Sequence, residues 1–323
     1  MIGVIGEALI DFIGKDKEGS SVNFASHVGG CGLNAATAAA RLHCPVGFLG
    51  KISSDMFGER MLEHMVDNNV LFDPALCGSD LPSMIGFLAL DEAGKASYAF
   101  YSKNTAPTSI GRDELLTALS EHSDIKVLHI GSVSLAVEPG CDAILAAVDM
   151  FKPSPVVFLD PNVRPTVIED FAAYRKRLEL AIQLADIIKL SDDDLMLLYP
   201  ELEVDKAAKL LSKSSGSHII LTKGKLGSTW YSPQMFTVDS PIIDLPVIDT
   251  VGAGDTFSGA LLTFLHRGGF FGRDGEEPHL ESLSKATIGQ AMRFANAAAS
   301  INCSRKGCDP PSLNEVEELL ASL

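Results

Sequence analysis

The sequence has little positive charge and no long apolar run, and these two absences exclude several classes of protein. Lys and Arg number 26 against 42 Asp and Glu, which gives a formal charge of −16 at pH 7. No run of five or more basic residues offsets this negative field, so we expect no nucleic-acid partner. No apolar stretch approaches the roughly 18 residues of a membrane-spanning helix. We therefore expect no membrane partner either.

Paired cysteines are also missing. The six cysteines are scattered along the chain without a C-x-x-C pair: Cys31, Cys44, Cys77, Cys141, Cys303 and Cys308. No histidine stands at a metal-site spacing from them, which favours free thiols in a reducing compartment. The opening residues, MIGVIGEALIDFIG, contain neither a basic segment nor a small-residue cleavage site. These features predict a soluble cytoplasmic protein.

Apolar runs that alternate with helical segments predict a parallel sheet. Six runs end in small or polar residues, as strands buried on both faces do: IGVIGEAL, VGFLGKI, VLHIGS, VVFLDPN, DIIKLS and HIILTKG. Helix-like segments lie between them, at 33–42, 57–68, 141–151, 170–185 and 204–213. The pattern predicts an α/β fold with a doubly wound, mainly parallel sheet flanked by helices. Ligands of such folds bind beyond the carboxyl ends of the strands.

Two segments interrupt this alternation. Residues 11–28 and 83–106 contain short strands of alternating polarity, the second of them around the turn DEAG at 91–94. They predict a small β-sheet inserted discontinuously into a single domain that spans residues 1–323. Such a sheet would act as a lid over the strand ends. Its apolar strands also predict a homodimer formed through the lid.

The segment DTVGAGDTFSG, at 249–259, predicts a site for phosphoryl transfer. The spacing of the apolar residues that follow places the start of a helix within it. The free N–H groups of that start, beside the small residues Gly252, Ala253 and Gly254, can hold a phosphoryl group. Asp255 can then accept the proton of a substrate hydroxyl. A first-turn carboxylate without a catalytic role fits equally well, so the residues alone leave both interpretations open.

Two familiar nucleotide-binding motifs are absent. The sequence contains no G-x-x-x-x-G-K-[ST] P-loop, and the dinucleotide fingerprint G-x-G-x-x-G fails because Phe257 occupies the last glycine position. The sequence therefore argues against a P-loop kinase and against a Rossmann oxidoreductase.

A second glycine-rich turn lies at GGCGLNAATAAARL. Gly29 and Gly30 precede Asn34, whose amide can donate to and accept from a polyol. Tight helix packing explains the same glycines. Asp11, at the end of the first apolar segment, is either an acceptor for a substrate hydroxyl or a solvated loop residue.

The segment LDPNVRP brings further polar residues to the predicted ligand edge. Asp160, Asn162 and Arg164 follow a buried strand. Arg164 suits a phosphate or sugar oxygen, although pairing with a surface glutamate explains it as well. His129 lies within an apolar strand and is interpreted as a core residue.

The loop LTKGKLGS has two interpretations. Thr222, Gly224 and Gly227 fit either a hairpin turn or a loop beside a nucleotide. The residues alone do not choose between them.

These motifs resemble those of the ribokinase-like, or PfkB-type, carbohydrate kinases, and the similarity is greatest to the fructokinases. DTVGAGDTFSGAL resembles the C-terminal signature of that family. GGCGLNAATAAARL and LGKISSDMFGE resemble its N-terminal signature. The resemblance runs nearly from end to end and implies transfer of the γ-phosphoryl group of MgATP to a sugar hydroxyl, with a monovalent cation such as K⁺ as a further family expectation.

The resemblance also implies a role for each candidate residue. Asp255 would be the catalytic base, and Gly252, Ala253 and Gly254 would form the anion hole. The positions implied for the sugar are Asp11, Gly29, Gly30, Asn34, Lys51, Tyr101, Arg164 and Asp255. The positions implied for the nucleotide are Lys189, Thr222, Gly224, Gly227, Gly254 and Asn296.

The sequence departs from the family pattern in two places. The N-x-x-E motif associated with magnesium is replaced by a Ser-Asp-Asp-Asp run at 191–194, which leaves Asp194 as the candidate metal ligand. The lid motif F-Y-R-x-x-S-A of fructokinases is replaced by FYSKNTA, with Ser102 at the arginine position. Lys103 is adjacent, but on a strand it would point to the opposite face.

These departures bear on the choice of sugar. The D-P-N-x-R element resembles fructokinases and 2-keto-3-deoxygluconate kinases. An acidic sugar needs a cation for its carboxylate, and the loss of the lid arginine favours the neutral ketohexose fructose. Arg164 keeps 2-keto-3-deoxygluconate as the alternative. A nonenzymatic sugar or nucleotide sensor of the same fold is a second alternative, but such a protein is expected to have lost the base or the anion hole.

Overall fold

The computed structural model describes residues 1–18, 21–90, 96–273 and 275–323. Its α-helices are α1 Cys31–Arg41, α2 Met56–Asp67, α3 Arg112–Glu121, α4 Gly140–Phe151, α5 Phe171–Leu184, α6 Asp192–Leu198, α7 Val204–Ser215, α8 Ala253–Arg267, α9 Lys285–Cys303 and α10 Leu313–Ala321. Its strands are β1 Ile2–Val4, β2 Leu9–Glu18, β3 Ser21–Gly29, β4 Val46–Phe48, β5 Ile52–Ser53, β6 Leu71–Phe72, β7 Cys77–Ser79, β8 Met84–Leu90, β9 Ala96–Tyr101, β10 Val127–Gly131, β11 Val156–Asp160, β12 Ile187–Ser191, β13 His218–Thr222, β14 Ser228–Tyr231 and β15 Thr237–Ser240.

The main sheet has the strand order β15-β14-β13-β12-β11-β10-β1-β4-β6. Its strands run parallel from β13 to β6, and β14 and β15 add an antiparallel hairpin at one edge. The prediction of a doubly wound, mainly parallel sheet is confirmed. The edge hairpin was not predicted as a pair of strands.

Helices cover both faces of this sheet, so neighbouring strand residues enter different cores. Val127 belongs to one apolar cluster, together with residues of α1, α8 and α9, while Leu128 belongs to the other, with residues of α4 and α5. The continuous apolar runs in the sequence follow from this double burial, because both side-chain directions of each strand must be apolar.

The order of the strands creates a crevice beside β1. From β1 the chain proceeds outward through β4 to β6, and it then returns to β10 on the opposite side of β1. The connections after β1 and β10 therefore diverge to opposite sides of the sheet. Open α/β sheets bind ligands at such a switch point, outside the carboxyl ends of the strands.

A second sheet, of order β3-β2-β8-β9, is built from chain inserted after β1 and after β7. Strands β2 and β8 are parallel, and the two outer pairs are antiparallel. Phe12 stacks on Phe87 across β2 and β8, with ring centroids 5.0 Å apart. The strands overlap the two segments predicted for a lid, while the DEAG turn at 91–94 lies outside the described residues. Movement of this sheet as a lid remains a prediction.

No helix in the described part of the chain is both long enough and apolar enough to cross a membrane.

Helices α1 and α8 cross in close contact at Gly259. A methyl group at this position would lie 2.4 Å from the carbonyl oxygen of Ala35 and 2.8 Å from Cβ of Ala38. A glycine is needed here because the backbone of α1 fills the space that a side chain would take. The crossing matters for function because α1 carries Asn34 and α8 carries Asp255.

We expect Gly259→Ala to force α1 and α8 apart and to lower the free energy of unfolding by about 1–3 kcal/mol, the usual cost of overpacking a core. Gly289→Ala, in α9, is the matched control. A methyl group at Gly289 would contact only a side-chain carbon of Val238, at 3.8 Å. The control should be neutral or slightly stabilising. Thermal denaturation of the three proteins checks this, and equal stability of Gly259→Ala and wild type would contradict the tight crossing.

Candidate active site

A polar cavity of about 240 Å³ occupies the crevice at the switch point. Its walls come from the ends of β1, β10 and β11, from β2 of the second sheet, from Lys189 in β12, and from the starts of α1 and α8. The residues that line it include Glu7, Asp11, Gly30, Cys31, Asn34, Phe100, Ser132, Val133, Asn162, Arg164, Lys189, Thr250, Val251, Gly252, Ala253, Gly254 and Asp255. Many residues predicted from distant motifs thus meet in one place.

Asp255 lies at the base of this cavity, in the first turn of α8. Its side chain is almost fully buried, and its Oδ2 accepts a hydrogen bond of 2.8 Å from the Asn34 amide. Burial raises the pKa of Asp255, and the donation from Asn34 opposes that rise. Asp160 raises the pKa further through its charge, whereas Lys189 lowers it. A carboxylate with a raised pKa is a stronger base than one in water, which suits proton abstraction.

The turn before Asp255 presents backbone donors to the cavity. Gly252 has a φ of 73° and caps α8 without any side-chain hydrogen bond. The Ala253 N–H already donates to the carbonyl of Thr250 at 3.2 Å. Among the described residues, the N–H groups of Gly252, Gly254 and Asp255 meet no acceptor. The anion hole at 252–254 remains a prediction, which these free N–H groups support at Gly252 and Gly254, while Asp255 offers a further donor.

Lys189 places a positive charge next to these donors. A methyl group at Gly254 would lie only 2.9 Å from Lys189 Nζ. The ammonium group is buried and donates to Asp160 Oδ2 at 2.9 Å. Burial lowers the pKa of Lys189, but the surrounding negative charges, of which that of Asp160 is the largest, and the hydrogen bond to Asp160 together more than offset this, so the pKa is raised overall. A charged lysine beside two free N–H groups can stabilise the negative charge of a phosphoryl group.

Asp11 faces the same cavity from the second sheet. Two glycines on neighbouring strands leave room for its carboxylate: a methyl group at Gly29 would lie 2.6 Å from one oxygen and one at Gly86 would lie 2.7 Å from the other. Burial and the charge of Asp255 raise the pKa of Asp11 to about 6, although Arg164 opposes them. The predicted grouping of Asp11, Arg164 and Asp255 around one ligand space is what the structure shows.

Glu7 is a cavity residue that the motifs did not reveal. It follows β1, and its carboxylate accepts from the backbone N–H of Cys31 at 3.3 Å and of Ser134 at 3.1 Å. Its burial raises the pKa of this carboxyl group. Glu7 thereby ties the start of α1 to the loop after β10. The signal in the sequence was a single charge at the end of an otherwise apolar run.

Two residues predicted to bind the sugar lie elsewhere. Lys51 does not line the cavity, and its Nζ contacts Glu114 at 2.7 Å. Tyr101 is 62% exposed and packs its ring edge against Phe87. Phe100 lines the cavity instead, because neighbouring residues of a strand point to opposite faces. Sugar binding by Lys51 and Tyr101 remains a prediction that the lining of this cavity does not support.

Residues beyond the end of β9 also depart from the fructokinase lid pattern. Ser102 is buried, and its carbonyl oxygen accepts from the hydroxyl groups of Thr105 and Thr108. Lys103 pairs with Glu169 and lines a neighbouring cavity. Neither side chain lines the active-site cavity, so Arg164 is the arginine that this cavity offers to a sugar.

Asp194, the candidate metal ligand, has a structural role. One of its carboxylate oxygens accepts from the Val163 N–H at 2.7 Å, and the other accepts from the N–H and hydroxyl of Ser191 in a capping box at the start of α6. Because both oxygens are engaged, direct ligation of a metal by Asp194 is not supported. The bond to Val163 instead fixes the loop that presents Asn162 and Arg164.

The residues predicted to bind the nucleotide lie farther along the same edge of the main sheet, away from the cavity. Thr222 ends β13, directly beside Ser191 of β12. Gly227 packs on the backbone at Ser240, and the buried Asn296 amide donates to Ser240 Oγ at 2.9 Å. The loop LTKGKLGS is thus the turn of the β13–β14 hairpin. Nucleotide binding by Thr222, Gly224, Gly227 and Asn296 remains a prediction.

His129 was interpreted as a core residue, and it is fully buried in β10, stacked on Phe158. Burial lowers its pKa to about 4, so the imidazole is neutral near pH 7.

The cavity therefore combines a buried carboxylate, free N–H groups at a helix start and a buried lysine, an arrangement that suits a phosphotransferase with a hydroxyl acceptor. The profile of the pfkB family carbohydrate kinases matches residues 1–315, and the chain belongs to this family. Family membership confirms the resemblance drawn from the two signatures and makes the protein a sugar kinase.

The names of proteins similar to this chain agree with this family. A fructokinase of Rhizobium leguminosarum bv. trifolii is 35% identical over 82% of this chain and 79% of its own. The probable fructokinase-5 of Arabidopsis thaliana is 30% identical over 100% of this chain and 98% of its own. A fructokinase of Xylella fastidiosa, solved with bound ATP, superposes with a TM-score of 0.88 at 25% identity, covering 99% and 98% of the two chains.

We expect two substitutions to move the acid limb of the kcat/KM profile in opposite directions. Asn34→Ala removes a donation that lowers the pKa of Asp255, so the limb should move to higher pH. Asp11→Asn removes a negative charge near Asp255 and the coupling between the titrations of these two carboxyl groups, so the acid limb should move to lower pH. Each profile is measured from pH 4.5 to 8, and shifts in the same direction would contradict the proposed coupling.

Proposed function

We propose that this protein is a fructokinase, which transfers the γ-phosphoryl group of MgATP to a hydroxyl of fructose. The observation that carries the proposal is the position of Asp255, whose carboxylate shares a cavity with the free N–H groups of Gly254 and Asp255 and with the Lys189 ammonium. The relatives named fructokinase support the choice of sugar, as does the absence of a lid arginine.

In the proposed reaction Asp255 accepts the proton of the attacking hydroxyl. Asn34 holds the carboxylate through Oδ2, which leaves Oδ1 to face the sugar. Asp11 and Arg164 supply an acceptor and a donor for other sugar oxygens. As the phosphoryl group is transferred, its charge is stabilised by the N–H groups at the start of α8 and by Lys189, which need no reorganisation at that moment.

The nucleotide would lie along the edge of the sheet from Lys189 toward Thr222 and Gly224. The divalent cation would be held mainly by the phosphates of the nucleotide and by water, as Mg²⁺ commonly is. A neighbouring structure, the fructokinase of Vibrio cholerae in its fructose, ADP and calcium bound form, shares the fold at a TM-score of 0.80 and 24% identity. Dependence on K⁺ belongs to this proposal as an expectation from the family.

Phosphorylation of 2-keto-3-deoxygluconate is the second candidate, because Arg164 lines the cavity and can meet a carboxylate. The sensor alternative is disfavoured, because the base and the anion-binding turn are both present.

We expect strong MgATP-dependent turnover of fructose and weaker turnover of 2-keto-3-deoxygluconate, ribose, glucose and adenosine, measured as ADP release. Asp255→Asn should lower kcat by at least about 10²-fold, because a positioned base contributes that much. Asp193→Asn is the matched control, since Asp193 is an exposed carboxylate on α6 and should leave kcat unchanged.

Three other results would change the proposal. Preference for 2-keto-3-deoxygluconate, lost in Arg164→Leu, would replace fructose with the acidic sugar. Equal kcat values for wild type and Asp255→Asn would show that Asp255 is not the catalytic base. Binding of fructose and ATP without turnover on any sugar would favour the sensor.

The homodimer through the second sheet also belongs to the proposal. The outer strand β3 exposes Val22 and Phe24, which are 47% and 41% accessible. We expect light scattering to give twice the mass of the 34.4 kDa chain, and Phe24→Glu to return it to one chain. A monomeric mass for wild type at micromolar concentration would count against the dimer. A cytoplasmic location, consistent with six free cysteines, stays a prediction.

A further inference from the structure

Three potential metal ligands meet beneath the floor of the active-site cavity. Cys31 Sγ, a ring nitrogen of His129 and a carboxylate oxygen of Asp160 all lie within 4.8 Å of one another, and all three residues are buried. They come from the first turn of α1, from β10 and from the end of β11. Their sequence positions are far apart: the pairing of β10 with β11 brings His129 near Asp160, and the packing of α1 against β10 adds Cys31.

Three polar atoms of this cluster lack protein partners in the described part of the chain. Neither ring nitrogen of His129 forms a hydrogen bond within the described part of the chain, and Asp160 Oδ1 is likewise unpaired although it is completely buried. A buried polar group without a partner costs on the order of 1–3 kcal/mol. Such atoms indicate that something else occupies the space between them.

The surroundings of the cluster hold its ligands in place. Asp160 Oδ2 accepts from Lys189 Nζ at 2.9 Å and from Ser258 Oγ at 3.1 Å, which leaves Oδ1 directed to the cluster. The His129 ring is held by stacking on Phe158, at 5.4 Å between ring centroids and 21° between planes. Oriented carboxylates and fixed imidazole rings are what metal sites require of their ligands.

We propose that Cys31, His129 and Asp160 form a site for a thiophilic divalent cation of the zinc class, and that its occupation inhibits phosphoryl transfer. A set of one sulfur, one nitrogen and one oxygen suits Zn²⁺, whereas Mg²⁺ prefers oxygen ligands alone. The ion enters from the cavity, which Cys31 lines. The thiol of Cys31 releases its proton to solvent as the sulfur binds.

Inhibition follows from the neighbours of the cluster. Cys31 lines the cavity together with Asp255, and Asp160 Oδ2 accepts the hydrogen bond that holds Lys189 beside the turn at Gly254. A divalent charge at this position competes with Lys189 for the Asp160 carboxylate and displaces the ammonium group from the anion-binding turn. This part of the inference rests on the proposed role of Lys189, whereas binding of the ion does not.

Metal binding is tested first, with the reduced full-length protein in the absence of magnesium, nucleotide and sugar. Competition between the protein and a chromophoric chelator for Zn²⁺ should show one tight site per chain. Cys31→Ala should weaken it by at least about tenfold, since even the loss of an outer-shell partner costs that much. Cys77→Ala is the control, because Cys77 on β7 lies outside the cluster, and its affinity should equal that of wild type.

Co²⁺ gives a second readout, because the absorption spectrum of the wild-type protein alone can report a thiolate ligand. Wild type and Cys77→Ala should show the charge-transfer absorption of a thiolate bound to Co²⁺, and Cys31→Ala should lack it. Absence of tight Zn²⁺ binding to wild type would overturn the proposal and leave buried water as the occupant. Equal binding by wild type and Cys31→Ala would overturn it as well.

Inhibition is tested by the ratio of ADP release with and without buffered Zn²⁺ at saturating MgATP. Buffered Zn²⁺ should slow ADP release by wild type and Cys77→Ala by at least about tenfold, and it should slow Cys31→Ala much less. Because the ratio is taken within each protein, a lower basal rate of Cys31→Ala does not affect it. Tight Zn²⁺ binding through Cys31 with an unchanged ratio would overturn the inhibitory role while the site itself would stand.

Discussion

The active site depends on the close crossing of α1 and α8. This contact brings the Asn34 amide within 2.8 Å of the Asp255 carboxylate, across more than two hundred residues of sequence. Gly259 permits the crossing because the backbone of α1 leaves no room for a side chain. The same two helices begin at the cavity, so Asn34, Asp255 and the residues at the start of α8 line one space. Helix packing, rather than any local motif, therefore sets the geometry of the base and of the anion-binding turn.

Burial of charge is the second constraint on the site. Asp255 interacts through its charge with both Asp11 and Asp160, and Lys189 and Arg164 are the cations among the described residues that line the cavity. Burial and mutual repulsion raise the pKa values of Asp11 and Asp255, while Asp160 keeps Lys189 charged. The negative field of the whole chain opposes an anionic nucleotide. The cavity offsets this repulsion with fixed local positive charge, namely a buried lysine and free N–H groups at a helix start.

Much of this organisation was predictable from sequence because apolar periodicity and glycine-rich turns report local structure directly. The parallel strands, α1 and α8 followed from such signals, whereas the roles of Asp11, Asn34 and Asp255 were implied by the resemblance to the kinase family. Tyr101 lies outside the cavity because neighbouring strand residues point to opposite faces, and the sequence does not show which face meets the cavity. Asp194 was proposed as a metal ligand from its place in the motif, because its bond to Val163 is a tertiary contact that the sequence does not show. Glu7 and the cluster around His129 carry no motif, since only the fold brings their partners together.

The central claim is that Asp255 and the start of α8 act together on one hydroxyl and one phosphoryl group. A crystal structure of the protein with fructose, ADP, Mg²⁺ and aluminium fluoride tests it most directly, since the fluoride complex imitates the transferring phosphoryl group. The account predicts fluoride atoms within hydrogen-bond distance of the N–H groups of Gly254 and Asp255 and of Lys189 Nζ. It also predicts a fructose hydroxyl about 2.6–3.2 Å from the Asp255 carboxylate. Fluoride bound elsewhere, or a fructose whose hydroxyls do not reach Asp255, would contradict it.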